Sequence, residues 1–232
     1  MPPELPNGPQ RFINGVLSEN PVYRQVLAMC PMLAVTNTIA GAITMAGATA
    51  FVLVGANVIT ALMRRWIKPH LRILVFTVTI ALFVTIADRL LAAFLPAMSQ
   101  ELGPYVPLII VNCMIIARCE VCANKQSVGV ATMDALGQSL GFLAALLSIS
   151  VVREILASGT VLAGWVGPEQ AGWRVLPRSF PNWNLMALPP GAFFTLGILM
   201  GLVNWIVAAR ERKARLASAV QAAQPVMATA AQ

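Results

Sequence analysis

The chain contains very little charge. Only 11% of its 232 residues are Asp, Glu, Lys or Arg, and the mean hydropathy is +0.74, whereas about a quarter of a soluble domain is charged. These values exclude an ordinary soluble domain and predict an all-α integral membrane protein. Aromatic residues are also scarce, at 7%, while small residues are plentiful, which favours tightly packed helices over an isolated anchor.

Several functional signatures are missing as well. Residues 1–20 are polar and lack the apolar core of a signal peptide, so the first hydrophobic helix is expected to act as the insertion signal. We find no nucleotide-binding loop, nucleophile triad or dinucleotide fingerprint. The net charge of +7 does not indicate nucleic-acid binding, because the basic residues cluster at the ends of hydrophobic runs. Four cysteines in such a chain do not suggest a disulfide framework, which is typical of small secreted domains.

Charged residues divide the hydrophobic sequence into spans. The stretch from Gln25 to Met63 has no charge and must hold two spans, since one span needs about 20 residues. Its natural division is a short piece to about Thr36 followed by a long helix. Each half of the chain then has a short, a long and an ordinary helix: 25–36, 38–63 and 73–95, then 105–117, 127–152 and 189–209. The sequence predicts six transmembrane helices, of which the first and fourth are short or broken.

The positive residues predict the orientation. Most of the 16 Lys and Arg fall in segments that share one side if both termini are cytoplasmic. Three crossings per half make the two repeats inverted with respect to each other. The expected organisation is a polar cytoplasmic N-terminus at 1–20, a first three-helix repeat at 21–95, an outer turn at 96–103, a second three-helix repeat at 104–210 that includes an outer loop at 157–188, and a disordered cytoplasmic tail at 211–232.

Two cysteines lie at matching places in this repeat. Cys30 and Cys113 fall six to nine residues into the short helices, about 9–13 Å deep, and approach the membrane centre from opposite sides. They are either small apolar packing residues or ligands of a soft metal site such as an iron–sulfur cluster, zinc or Cu(I). A [2Fe–2S] cluster needs four ligands. The other two would be Cys119 and Cys122 of the "CEVC" motif or residues of a partner chain.

The remaining candidates are less specific. A lone CxxC is a weak zinc signal, and Cys119 lies about 9 Å beyond Cys113 along a helix, so we expect an accessory or structural role for that pair. Carboxylates inside a membrane are functional candidates by default. Asp88 is followed by Arg89 near the outer surface, where the two residues could form a packing bridge. Asp134 could line a polar ion path or make a hydrogen-bonded helix contact.

Several motifs together resemble a known family. The segments "CPMLAVTN", "RRWIKPHLRI", "PLIIVNCMIIARCE", "DALGQSLGF", "VREILASGT" and "LPPGAFFTLG" are similar to the E subunit of the Rnf (Rsx) electron-transport complex, which is itself similar to the D subunit of the Na⁺-translocating NADH:quinone oxidoreductase. The resemblance covers about residues 20–210. It implies a component of an ion-translocating ferredoxin:NAD oxidoreductase in the bacterial inner membrane.

The resemblance also implies a site and partners. Cys30 and Cys113 match the ligand motifs of a mid-membrane [2Fe–2S] cluster that is shared with the homologous A subunit, which supplies the other two cysteines. The B, C, D and G subunits would carry the flavin and iron–sulfur centres. A small inverted-repeat secondary transporter and a structural scaffold protein without a redox centre remain alternatives. The coupling ion, Na⁺ or H⁺, and the direction of electron flow are left open by the sequence.

Overall fold

The structure of the chain is a computed structural model. The structure describes residues 12, 15, 19–64, 66, 68–123, 126–158, 160–161, 173–174, 186 and 188–229. Most of the expected polar N-terminus and of the expected outer loop at 157–188 lies outside the described residues.

The described chain is almost entirely helical, which confirms the predicted class. Its α-helices are α1 (Met29–Val35), α2 (Ile39–Met63), α3 (Arg72–Phe94), α4 (Pro96–Leu102), α5 (Cys113–Arg118), α6 (Val128–Ser158) and α7 (Pro189–Thr229). Short 3₁₀ turns occupy Pro69–Leu71 and Val106–Ile109, and a π turn, Cys119–Ala123, continues α5. One two-residue antiparallel pair joins β1 (Thr160–Val161) to β2 (Trp173–Arg174).

Five helical segments are long and apolar enough to cross a membrane. They are Ile39–Met63, Arg72–Phe94, Val106–Ala123, Val128–Ala157 and Pro189–Ala209. The first of the six predicted spans is not among them, because α1 has only seven residues and rises about 10 Å. The described chain therefore has five helical segments of spanning length and two additional short helices, α1 and α4.

The core lies between α2 and α6. These helices run antiparallel, since the N-terminus of α2 meets Glu154 near the end of α6, and Ala61 packs against Ala131 at the opposite end. Thr38 begins α2 by accepting a hydrogen bond from the Gly41 N–H at 3.2 Å, a common N-cap arrangement. Small residues then allow close packing: a Cβ at Gly55 would lie 2.6 Å from the Phe83 ring of α3.

Helices α3 and α7 form the outside of the bundle. Large apolar side chains of α3 recur every fourth residue on its exposed face, which is the spacing of one helix face: Leu74, Val78, Leu82, Ile86, Leu90 and Phe94. Helix α7 exposes Phe193, Phe194, Ile198, Leu202 and Trp205. Apolar surfaces of this extent are unfavourable in water, and lipid or another membrane protein would cover them.

Four boundaries differ from the sequence-based expectations. Helix α6 continues to Ser158, six residues past its predicted end at 152. Helix α1 starts at Met29 because the preceding residues form turns: the Asn20 side chain accepts hydrogen bonds from the N–H groups of Val22 and Tyr23, and Ala28 is left-handed. Helix α5 starts at Cys113, capped by Asn112. Helix α7 continues to Thr229, so the tail expected to be disordered is helical through that residue.

Candidate functional site

The two candidate cysteines begin the two short helices. Cys30 is the second residue of α1 and Cys113 is the first residue of α5, so each lies in the first turn of its helix and not six to nine residues inside it. Cys113 is the eighth residue of the longer apolar segment Val106–Ala123. Both side chains are exposed on the surface of the chain. Asn112 stabilises the start of α5 because its Oδ1 accepts the Met114 N–H at 3.1 Å.

A direct contact brings the two cysteine segments together. The backbone N–H of Ala28 donates to the Sγ of Cys113, with a nitrogen–sulfur distance of 3.1 Å. Ala28 precedes Cys30 by two residues, and a chain that short spans at most about 7 Å. The structure therefore brings the segment that carries the exposed Cys30 thiol against the exposed Cys113 thiol, although the two residues are distant in the sequence.

The short helices run away from this contact in opposite directions. Thr36, which follows α1, accepts a hydrogen bond from Nη1 of Arg153, and Arg118, the last residue of α5, lies 3.5 Å from Oδ1 of Asp134. Asp134 and Arg153 are both on α6, about 28 Å apart along its axis. Helices α1 and α5 thus begin together and finish at opposite ends of α6, here named the Arg153 end and the Asp134 end.

The Arg153 end holds a buried group of hydrogen bonds, the Arg153 cluster, formed by Arg153, Glu154 and their partners. Arg153 donates through Nη1 to Thr36, through Nε to the Met186 carbonyl at 3.1 Å, and through Nη2 to the Leu188 carbonyl at 3.2 Å. Glu154 accepts the Ile39 N–H at 2.7 Å. Both charged residues are 1% exposed. The cluster therefore fastens α6 to the break between α1 and α2 and to the start of α7.

The Asp134 end holds an ionic group, the Arg118 cluster, formed by Glu19, Arg118 and Asp134. The two terminal nitrogens of Arg118 each lie 3.3 Å from Oε2 of Glu19, and Nη1 is 3.5 Å from Asp134. The Arg118 and Asp134 side chains are buried, but Glu19 retains 44% of its side-chain exposure. The cluster ties the segment before α1 to α5 and α6.

The family comparison agrees with this architecture. Residues 9–200 match the family described as Rnf-Nqr subunit, membrane protein. The chain belongs to the Rnf-Nqr family. Membership confirms the resemblance found in the sequence motifs and a membrane location.

Individual relatives in the Rnf-Nqr family are similar over most of their length. The E subunit of the Na(+)-translocating ferredoxin:NAD(+) oxidoreductase complex of Acetobacterium woodii is 41% identical over 84% of this chain and 95% of its own length. Proteins named as the E subunit of an ion-translocating oxidoreductase complex are 39% identical in Methanosarcina acetivorans, covering 88% of this chain and 92% of the relative, and 38% identical in Vibrio parahaemolyticus, covering 93% and 91%.

The other candidate residues do not join Cys30 and Cys113. Cys119 and Cys122 are buried in the π turn, and the Cys119 thiol donates to Oδ1 of Asn57 on α2 at 3.3 Å. Within the described part of the chain, no three His, Cys, Asp or Glu residues come together as a metal site. This Rnf-Nqr chain therefore offers two exposed thiols on segments that are in contact, and the "CEVC" cysteines are buried elsewhere.

The two candidate carboxylates are far apart. Asp134 lies near the start of α6, whereas Asp88 lies near the end of α3 that leads to the Arg153 end. Asp88 is half-buried, and no ion pair joins it to Arg89 among the described residues. Adjacent residues on a helix do not face each other, which explains why that expected bridge is absent.

Sequence reasoning missed Arg118, Arg153 and Glu154 as buried residues. It placed Arg118 in a cytoplasmic segment and used Arg153-Glu154 only to mark a helix end. The sequence contained a signal for Arg153 and Glu154, because the apolar residues Ile155 and Leu156 follow them directly. Charges within an apolar run are expected to be paired. For Arg118 the sequence offered no such signal.

A cavity opens next to Cys30. It has a volume of about 280 Å³ and is lined by Cys30, Leu33, Ala34, Asn37, Tyr105 and Pro189. A second cavity of about 240 Å³ shares Ala34, Asn37 and Tyr105 and includes Glu101. The break between α1 and α2 therefore borders open space rather than packed helices, as expected for irregular backbone at membrane depth.

Proposed function

We propose that this chain is the E subunit of an Rnf-type ion-translocating ferredoxin:NAD oxidoreductase, a translocase complex, and that it has no activity alone. Cys30 and Cys113 hold two of the four positions of a [2Fe–2S] cluster, and the homologous A subunit supplies the other two thiolates. The observation that carries this proposal is the Ala28–Cys113 contact, which brings the segment that carries Cys30 against the Cys113 thiol, both thiols being exposed. The names of the relatives support the complex.

The residues present fit such a group. Iron–sulfur clusters are held by cysteine thiolates and accept and release electrons at potentials set by hydrogen bonds and exposure. This chain provides two thiols on an open surface, where a second protein can complete the ligand set. Buried apolar residues around the short helices, including Met32, Ile109, Met114 and Ile115, exclude water from the inner side of the site.

We further propose that the chain crosses the membrane six times as two inverted repeats. The first crossing consists of the turns at 19–28 together with α1. The fourth crossing is the single helical segment Val106–Ala123. The opposite directions of α1 and α5 support this arrangement. Arg64 and Arg72 lie at the Asp134 end, where they contact Gln126 and Glu120. The positive-inside rule then makes that end and both termini cytoplasmic, in the bacterial inner membrane.

Ion movement would involve the Arg118 cluster. Asp134 is a buried carboxylate, and Asp88 is the second candidate on the path. Because α1 and α5 start at the thiols and end at the two charged clusters, a displacement of either cysteine moves a helix that leads to one of these ends. We propose that this connection couples electron transfer by the complex to Na⁺ or H⁺ translocation across the membrane. Ion uptake by vesicles that carry Asp134→Asn tests this step.

The test of the proposed cluster is electron paramagnetic resonance of the reduced pair formed by this chain and the A subunit. We expect a [2Fe–2S] signal in the wild type that is lost in Cys30→Ser and in Cys113→Ser. The matched controls are Cys119→Ser and Cys122→Ser, which should retain the signal because these thiols lie elsewhere. A signal that persists in both of the first two variants would contradict the assignment.

A secondary transporter is the alternative that the geometry also supports. Broken helices bordering cavities are a feature of transporters with inverted repeats, and the cavities beside Cys30 fit that description. The two functions differ in their metal content. A transporter would purify without iron, and Cys30 and Cys113 would be replaceable by serine with no loss of transport.

A further inference from the structure

An unusual turn precedes Cys30. Val26 and Ala28 have φ values of 56° and 63°, and they are the non-glycine residues with positive φ in the described part of the chain. The left-handed region is unfavourable for residues with a Cβ and most of all for a β-branched residue such as valine. Two such residues within three positions require contacts elsewhere in the protein that hold them in place.

Those contacts come from α6 and from the turn itself. The Leu27 N–H donates to the Pro21 carbonyl at 2.8 Å, and the Val26 N–H donates to the Val22 carbonyl at 3.1 Å. Asn20 donates through Nδ2 to the Gly141 carbonyl at 3.1 Å. Gly141 is required there, because a Cβ at that position would lie 2.7 Å from the Gly15 carbonyl oxygen. The turn is therefore fixed to the middle of α6.

The left-handed conformation directs the Ala28 N–H toward another part of the chain. A residue that caps a helix usually leaves its neighbouring N–H groups to side chains or water, and Ala28 has no side chain that can cap. Its own N–H instead reaches the sulfur of Cys113, 85 positions further along. Ala28 is completely buried, so water does not compete for this hydrogen bond.

The two cysteines differ in their hydrogen bonding. Cys113 accepts the Ala28 N–H, whereas in the described structure Cys30 has no backbone N–H donor. A donor aimed at a ligand sulfur stabilises the more negative, reduced state of a cluster and so raises its reduction potential. The same contact joins the segment that carries Cys30 to the residue that starts α5, and it therefore sets the separation of the two thiols.

We propose that the Val26–Ala28 turn is a positioning element that delivers the Ala28 N–H to the Cys113 sulfur, fixing the spacing of the two thiols and raising the potential of the cluster they hold. The proposal rests on the proposed function for the potential, but the spacing of the thiols is a property of the chain alone. Ala28 and Val26 act through Cys113 and Cys30 and are not themselves ligands.

Two substitutions at Ala28 separate the turn from the side chain. Ala28→Gly keeps the N–H and accepts a left-handed φ without strain, so the potential of the cluster in the pair with the A subunit should be unchanged. Ala28→Pro removes the N–H and forces φ to about −65°, so the potential should fall. Val26→Gly removes the strain of the other left-handed residue without changing the Ala28 N–H, so its potential should also be unchanged. An Ala28→Pro pair with the wild-type potential would overturn the proposal.

Spectroscopy of unaltered protein covers the case in which Ala28→Pro does not fold. Electron–nuclear double resonance of the reduced wild-type pair should show a strongly coupled proton that exchanges slowly with D₂O, since Ala28 is buried. The Ala28→Gly pair should show the same proton. A wild-type cluster without any coupled exchangeable proton would contradict the hydrogen bond.

A cluster-free measurement distinguishes failure of this inference from failure of the proposed function. Dibromobimane becomes fluorescent when it alkylates two neighbouring thiols, forming two carbon–sulfur bonds and releasing two bromides. In the purified chain with Cys119→Ala and Cys122→Ala, it should crosslink Cys30 to Cys113 efficiently, and Ala28→Pro should reduce the yield several-fold relative to Ala28→Gly. Equal yields would reject the turn as a spacer, whether or not the wild-type pair contains iron.

Discussion

The two charged clusters contain the same residue types, but the arginine binds mainly backbone groups in one and carboxylates in the other. At the Arg153 end, the guanidinium donates to two backbone carbonyls and a hydroxyl, while Glu154 accepts a backbone N–H. At the Asp134 end, the Arg118 guanidinium contacts two carboxylates, and one of them, Glu19, is 44% exposed. The first cluster is part of the backbone scaffold, whereas the second contains contacts that water can reach.

This difference indicates which end can change. Backbone groups buried in a membrane have no alternative partners, so releasing Arg153 would leave several polar groups unsatisfied at once. A carboxylate that already contacts solvent can separate from a guanidinium at much lower cost. The Arg153 cluster is therefore suited to hold the break between α1 and α2 in one geometry, and the Arg118 cluster is suited to exchange partners with a passing cation.

The largest effect is expected from Arg153→Met, which keeps an unbranched apolar stem and removes the charge and all five N–H donors. The Met186 and Leu188 carbonyls and the Thr36 hydroxyl would lose their donor. Each buried polar group left unsatisfied costs about 1–3 kcal/mol. We expect a correspondingly large fall in the free energy of unfolding in detergent and little accumulation in the membrane.

The matched control for this substitution is Arg89→Met. Arg89 is exposed on α3 and contacts no carboxylate in the described structure, so its replacement should change stability by less than about 0.5 kcal/mol. Equal stability of the Arg153→Met and Arg89→Met proteins would show that the Arg153 cluster is not a scaffold.

The sequence predicted the parts of the fold that depend on local composition. Charge-free runs and their flanking charges located α2, α3, the start of α6 and the membrane part of α7 within a residue or so, because burial in lipid excludes charge along most of a span. They ended α6 six residues too early, because Arg153 and Glu154 lie inside the helix. The same reasoning failed for Arg118 and Arg153. A buried guanidinium is allowed only by partners that are distant in the sequence, such as Thr36 and Glu19, and no local pattern encodes them.

The candidate site shows the same division. Cys30 and Cys113 could be chosen from the repeat and from the family motifs, but the left-handed turn at Val26–Ala28 carries no glycine that would indicate it. Tertiary contacts with Gly141 and Cys113 impose this conformation. The starts of α1 and α5 were therefore placed too early, and the cysteines were expected inside the short helices rather than at their first turns.

An intermediate effect is expected from Asp134→Asn. The amide has nearly the same shape, and Arg118 keeps its contact with Glu19, so we expect a loss of about 1–3 kcal/mol. If the ion path passes the Arg118 cluster, ion uptake by vesicles should fall at least tenfold while electron transfer through the complex continues. Asp88→Asn is the comparison at the other end of the bundle.

Uptake that falls equally in Asp134→Asn and Asp88→Asn would place both carboxylates on the path. Uptake that falls only in Asp88→Asn would contradict the role given to the Arg118 cluster. The free energy of unfolding of each variant shows whether a loss of uptake is due to misfolding. Asp88 is only half-buried, so its replacement should change that free energy by no more than about 0.5 kcal/mol.

The smallest effect is expected from Glu19→Gln, and it provides the finest comparison. Glu19 and Glu120 are almost equally exposed, and Oε1 of Glu120 lies 3.1 Å from Nη1 of Arg72. The partner of Glu19 is 6% exposed, however, and that of Glu120 is 31% exposed. Salt screens exposed pairs most strongly, and such pairs contribute about 0.2–1 kcal/mol. We therefore expect Glu19→Gln to cost about 1 kcal/mol and to remain destabilising in high salt, whereas Glu120→Gln should cost less than about 0.5 kcal/mol and lose its effect there. If the two variants have the same cost and the same salt dependence, burial of Arg118 does not strengthen its contact with Glu19, and the Arg118 cluster is then an ordinary surface ion pair.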